Sequence, residues 1–231
     1  TDGNIWGSEF MIADAGGFER YCHFDYVPMP GGDRAADEPW RMAFSYLYKN
    51  FGDLFDYDSL EVFRKVERHK LDIVREMLKK KINSPLTSGA GRLFDAVSAL
   101  TGLCREQTFD SEAPMRLESV IKPGCETCYP FRIAGNILFD DMFRAILDDL
   151  KKVDIPEISA RFHNTIVKAI TEVSERIRSS HGIRKVVLSG GVFQNRYLLE
   201  RTFEKLLQSG FRVYTNHQAP VNDGGIALGQ T

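Results

Sequence analysis

Hydrophobic positions recur along this chain with different rhythms, and the changes of rhythm divide it. "IWGSEFMIAD" and "FERYCHFDYVPMP" are rich in β-formers and are separated by the turn-forming "AGG", so the first thirty residues read as strands and turns. Pro28, Pro30, Gly31 and Gly32 punctuate the end of that stretch. From Glu38 to about Leu150 the spacing becomes mostly helical. Phe44, Leu47, Tyr48 and Phe51 share one face, as do Leu93, Phe94, Val97 and Leu100, and later Ile146, Leu147 and Leu150. The charged "FRKVERHKLDIVREMLKKK" predicts a surface helix whose basic end suits a C-terminus.

The last third changes again. A helix is expected from Ile158 to Ser179, with Phe162, Ile166, Ile170, Val173 and Ile177 along one face and Gly182 ending it. "KVVLSGG" then predicts a buried strand, "NRYLLERTFEKLLQSG" a helix capped by Gly210, and "FRVYTN" a second strand. Helix, strand, turn, helix, strand is α/β wiring, which calls for parallel pairing of the two strands. Three regions result: 1–33 β-rich, 34–150 mainly helical and 151–231 α/β.

Composition narrows the function classes. The chain has 231 residues, enough for a sizeable core, and its 43% hydrophobic and 27% charged content is that of a soluble globular protein. With 30 basic and 32 acidic side chains there is no electrostatic case for nucleic acid or an anionic membrane. No apolar run reaches membrane-spanning length and no leader opens the chain, so a cytoplasmic location is expected. Cys22, Cys104, Cys125 and Cys128 are too few and scattered for a disulfide framework. Cys125 and Cys128 form a CxxC without a second pair at zinc-finger spacing, which reads as a loop with two free thiols. The chain opens without Met and closes on "GGIALGQT", part-way through a helix pattern, so a fragment of a longer protein is expected.

The candidate chemistry lies at the strand ends. Gly190 and Gly191 follow "KVVLS", where an α/β sheet binds its ligands. Lacking Cβ atoms, they allow either a tight turn or the close approach of a phosphate to backbone N–H groups at a helix start. Neither a Walker A loop nor GxGxxG is present. A second strand end, "APVNDGGIALGQ", carries another glycine pair beside Asp223, which is either a helix N-cap or a ligand for a divalent metal next to the phosphates. His163 in "RFHN" sits beside Phe162 on the long helix and reads as a hydrogen-bonded structural histidine. By pattern alone, Asp95 is a surface position on a helix among Leu93, Phe94 and Val97.

"VVLSGGVFQNRYLLE" and "NDGGIALGQ" resemble the C-terminal part of the HypF family of hydrogenase-maturation carbamoyltransferases. "DGNIWGSEF", "GFER", "PMPGGDRAADEPWRMAFSYL", "LTSGAGRLFDAVSALTGL" and "RFHN" resemble the same family in the same order. The resemblance spans nearly the whole chain and implies an α/β protein of the actin-like ATPase (ribonuclease H-like) fold, incomplete here, with a largely helical insertion. It implies that Gly190, Gly191, Asn195 and Gly224 lie at the nucleotide, that Asp223 binds the metal (Mg or Fe), and that Asp95 lies near the ribose. The cofactors implied are ATP or carbamoyl-adenylate, the latter made from carbamoyl phosphate. The implied partner is HypE, whose C-terminal cysteine receives the carbamoyl group.

The chain departs from the family at Ser111 to Pro114, "SEAP" in place of Gly-Gln-Ala-Ala, and it lacks the upstream histidine motif. His23, His69, His163, His181 and His217 are dispersed with no HxxxH. Weak nucleotide binding at most, without completed transfer, is therefore expected of the chain alone. The alternatives are a non-catalytic module that recognises HypE, or another actin-like transferase or kinase, of the TsaD or O-carbamoyltransferase type.

Overall fold

In the computed structural model, residues 2–216 and 218–225 are described, while Thr1, His217 and residues 226–231 lie outside the described residues, as does the side chain of Asp223. Contacts gather the chain into two units, one of Thr1–Val120 with Phe131–Ile155, the other of Ile121–Pro130 with Pro156–Thr231.

The first unit opens with the antiparallel hairpin β1 (Glu9–Asp14) and β2 (Gly17–His23), irregular in register between Phe10 and Met11. Strand β3 (Val27–Pro28) leads to helices α1 (Arg34–Asp37) and α2 (Pro39–Phe51). Pro39 stands in the first turn of α2, where its missing N–H costs no helical bond. After α3 (Glu61–Arg64) and α4 (Arg68–Lys80), the short β4 (Leu86–Thr87) pairs antiparallel with β3. Helix α5 (Ala90–Leu100) packs on α2, and Trp40, Phe44, Leu47, Leu93, Phe94 and Val97 are all buried there. Helix α6 (Glu112–Ser119), the hairpin β5 (Arg132–Ala134) and β6 (Asn136–Leu138), and α7 (Asp140–Asp149) complete the unit.

The charged run after Leu60 is two helices rather than one. Its first turn buries Val62 and Phe63, and Phe63 meets Phe44 edge-on at 5.6 Å within a cluster that includes Tyr57. The chain breaks over 65–67, and α4 then buries a separate face of Leu71, Val74 and Leu78. The basic residues Lys79 and Lys80 do occupy the last turn of α4.

The second unit is built on the 27-residue α8 (Ile155–His181), followed by β7 (Lys185–Leu188), α9 (Arg196–Gln208) and β8 (Arg212–Thr215). Strands β7 and β8 pair in parallel, as the α/β wiring demands. Gly210 adopts φ 80° past the end of α9, with Phe211 N–H returning to the Leu206 carbonyl. Strand β7 is less buried than its apolar run predicts. Side chains alternate across a strand, so only Leu188 is fully buried, and Val187, paired in register with Tyr214, is 68% exposed.

Candidate functional site

The two glycine turns meet. Gly190, at φ 109°, donates its N–H to the carbonyl of Val221 at 3.0 Å, which ties the end of β7 to the segment leading into Asp223. A side chain is strained at that φ, whereas a Cβ at Gly190 would touch nothing within 4 Å. Gly191 is equally open, its nearest neighbours Asn222 Cβ and Gln194 Oε1 lying at 4.0 Å. One short helical turn, Gly191–Gln194, then carries the backbone to α9.

The second turn is tighter. Asn222 accepts from Gly224 N–H through its side chain at 3.1 Å and from Gly225 N–H through its carbonyl at 2.9 Å. A Cβ on Gly225 would lie 2.4 Å from the Pro220 carbonyl oxygen. The structure thus brings Gly190, Gly191, Asn195, Asp223 and Gly224 into one unit, with open backbone at the first turn and a locked second turn beside it.

Asn195 is the N-cap of α9, its side-chain oxygen Oδ1 accepting from Leu198 N–H at 2.8 Å. Its amide nitrogen lies 3.0 Å from Nε2 of His163. His163 is fully buried on α8, and its Nδ1 lies 2.8 Å from the Ser159 carbonyl oxygen. Burial holds its pKa down to about 4, against the opposing pull of that carbonyl. The structural reading of His163 holds, and its two neighbours extend it. Asn164 donates to the carbonyls of Cys125 (2.8 Å) and Thr127 (3.0 Å) and accepts from Tyr197 Oη at 2.8 Å. Thr165 Oγ1 accepts from Tyr129 N–H at 2.8 Å. Three consecutive uncharged polar residues between Phe162 and Ile166 were the available signal, and the sequence reading used only the first. Cys125 and Cys128 are both free and half-buried in the loop so held.

Asp95 belongs to the first unit, on α5, and is 1% exposed, which overturns its reading as a surface position. Helix α5 turns it inward with Phe94 and Ala96 because that helix is buried along most of its length. Arg92 Nη2 comes within 3.1 Å of Asp95 Oδ2, yet neither carboxylate oxygen gains a well-directed hydrogen bond among the described residues, and Ser98 Oγ also lacks one. Burial pushes the Asp95 pKa up to about 7, over the opposing attraction of Arg92.

The start of α5 is held by the opening residues. Ile5 N–H bonds the Leu86 carbonyl at 2.8 Å and Ser88 N–H the Ile5 carbonyl at 3.0 Å, while Ser88 Oγ donates to Glu9 at 2.6 Å. Glu9 also receives Arg20 Nε at 2.5 Å, and the Arg20 guanidinium lies 3.9 Å from the Trp6 ring centroid. Hydrogen bonds from Trp6 and Tyr26 hold the Asp2 carboxyl below the usual range. "DGNIWGSEF" and "GFER" are thus one interlocked corner.

Residues 1–230 match the family described as carbamoyltransferase, Kae1-like domain, second subdomain. The chain belongs to this family. It is 34% identical over 236 residues to the probable carbamoyltransferase HypF of Methanocaldococcus jannaschii, covering 99% of this chain and 30% of that protein. It is 36% identical over 231 residues to carbamoyltransferase HypF of Rhodobacter capsulatus, again 99% of this chain and 30% of the relative. The crystal structure of a full-length HypF in a phosphate- and nucleotide-bound form superposes with a TM-score of 0.92 at 41% identity, covering 100% of this chain and 30% of that one. The chain therefore has the HypF fold, mixed α/β with helices dominating, and spans under a third of those relatives.

Proposed function

We propose that this chain is part of a HypF carbamoyltransferase, which passes a carbamoyl group from carbamoyl-adenylate to the C-terminal cysteine of HypE. The adenylate is made from carbamoyl phosphate and ATP. The observation that carries this reading is the joined pair of glycine turns, whose first member leaves backbone open at Gly190 and Gly191. A phosphate needs such room to approach N–H groups at a helix start. The N–H of Gly190 is engaged by Val221, so the anion's donors come from the turn that follows it. Asn195 serves by holding that turn, through the cap and His163.

In its own unit, Asp95 is the candidate for the paired hydroxyls of a ribose, as the family resemblance implies; its carboxylate is 1% exposed and makes no well-directed hydrogen bond among the described residues. Bound adenylate supplies an activated carbonyl carbon. Around it this chain's residues bind and orient, and they keep water from competing with the incoming thiol. Asp223 is the candidate for a divalent cation, Mg or Fe. Among the described residues, however, no group of three or more His, Cys, Asp or Glu side chains gathers to hold a metal. Also among the described residues, no helix is long and apolar enough to cross a membrane.

The test is an ATP titration of the chain by calorimetry, with and without Mg²⁺, beside a variant carrying Gly191→Val and Asp223→Ala. Weak, saturable binding that the variant loses is the expected result. Binding that the variant retains, or none by the parent, overturns the phosphate-site reading.

A further inference from the structure

The "RFHN" motif supplies more than packing. Ser159's carbonyl oxygen can only accept, so at 2.8 Å it places the proton of His163 on Nδ1, ahead of the Ser159 hydroxyl, which lies farther from that nitrogen at 3.4 Å. Leu198 N–H can only donate, so at 2.8 Å it fixes the Asn195 oxygen on its side and turns the amide NH₂ toward His163. At 3.0 Å, His163 Nε2 must then accept. Two backbone groups, one at each end of the chain of contacts, require the same neutral tautomer. A protonated ring would set N–H against N–H, and Asn195 could relieve this only by flipping and leaving Leu198 N–H without its cap.

We infer that His163 is a positioning residue for the glycine turn: as a neutral acceptor it locks the Asn195 carboxamide and so holds residues 190–195 in the shape that faces the phosphate. This rests on the phosphate-site reading above, and the tests are chosen to fail separately. Neither His163 nor Ser159 is assigned any contact with the ligand.

Three measurements on the full 231-residue chain decide it: ¹⁵N chemical shifts of the His163 ring, hydrogen exchange at the Leu198 amide, and ATP affinity. They are applied to the parent, to His163→Gln and to His163→Leu. Gln keeps an acceptor near the Nε2 position and Leu removes it. The expected results are an Nδ1–H tautomer near neutral pH and near-parental exchange and affinity in H163Q. In H163L, Leu198 protection falls and ATP binds about tenfold more weakly, the size of one unsatisfied buried donor. An Nε2–H or doubly protonated ring overturns the inference, as does a folded H163L that keeps Leu198 protection. Should H163L not fold, the tautomer and H163Q still decide. If the parent binds no ATP, the phosphate-site reading fails, whereas the ring shifts and Leu198 exchange still judge His163.

Discussion

The N–H of Gly190 reaches the carbonyl of Val221 across 3.0 Å, so two turns far apart in sequence share one hydrogen bond at the end of β7. Each turn therefore constrains the other, and damage to either is felt by both.

Gly190→Ala isolates the conformational part of that constraint. At φ 109° an alanine is strained, but its methyl would meet no atom within 4 Å. The expected loss is about 1–3 kcal/mol of stability, all of it from the backbone. Denaturant unfolding of the variant measures it, and an unchanged midpoint would show that the turn relaxes freely.

Gly7→Ala tests the opposite case, where space decides. A Cβ there would lie 2.7 Å from Gly89 Cα, just before α5. Overpacking of this kind costs about 1–3 kcal/mol. Because the contact anchors the start of the helix that bears Asp95, exchange protection in α5 should fall more than in α9. Equal losses in both helices would refute this local role.

Ser111→Gly should stabilise. Ser111 holds φ 64°, its side chain makes no cap bond to α6, and a glycine escapes the left-handed penalty. Relief of about 1–2 kcal/mol is offset by glycine's extra entropy of about 0.5–1 kcal/mol. A small rise in thermal midpoint is the expected result, and a fall would count against strain at this position.

Acid should act on the two units in opposite senses. Asp95's pKa is raised from 3.8 to about 7, so between those values the folded form binds more protons and stability declines as pH rises. His163's pKa is lowered from 6.5 to about 4, so over that range the unfolded form binds more protons and stability declines as pH falls. Moving from pH 7 to pH 5 should then increase protection of α5 amides and decrease that of α9 amides. Asp95→Asn should abolish the first trend alone. If both helices shift in the same direction, one of these two assignments is wrong.

Much of this was legible in the sequence, and the gaps have physical causes. The strand–helix–strand wiring of residues 185–215 follows from period and punctuation, which are local properties, and the parallel pairing follows from the wiring. The break after α3 was not legible because Phe63 is buried by Phe44 and Tyr57, partners supplied by tertiary packing. The exposure of Val187 was hidden for a related reason: "KVVL" reads the same whether one face of a strand is covered or both. Asp95 looked like a surface residue since its neighbours on α5 match an ordinary amphipathic helix, and only the packed helix shows its burial. His163 was read correctly as structural, but its partner Asn195 lies 32 residues away and no spacing rule links them.

The two units are interleaved along the polypeptide, since Ile121–Pro130 belongs with the residues after Pro156 while Phe131–Ile155 belongs with those before Val120. During synthesis the earlier unit stays incomplete until its last helix has left the ribosome, and by then a piece of the later unit has already emerged and must wait. A single cut anywhere between the two leaves at least one of them missing a part. Production of either unit alone therefore calls for a spliced or permuted gene rather than a truncated one.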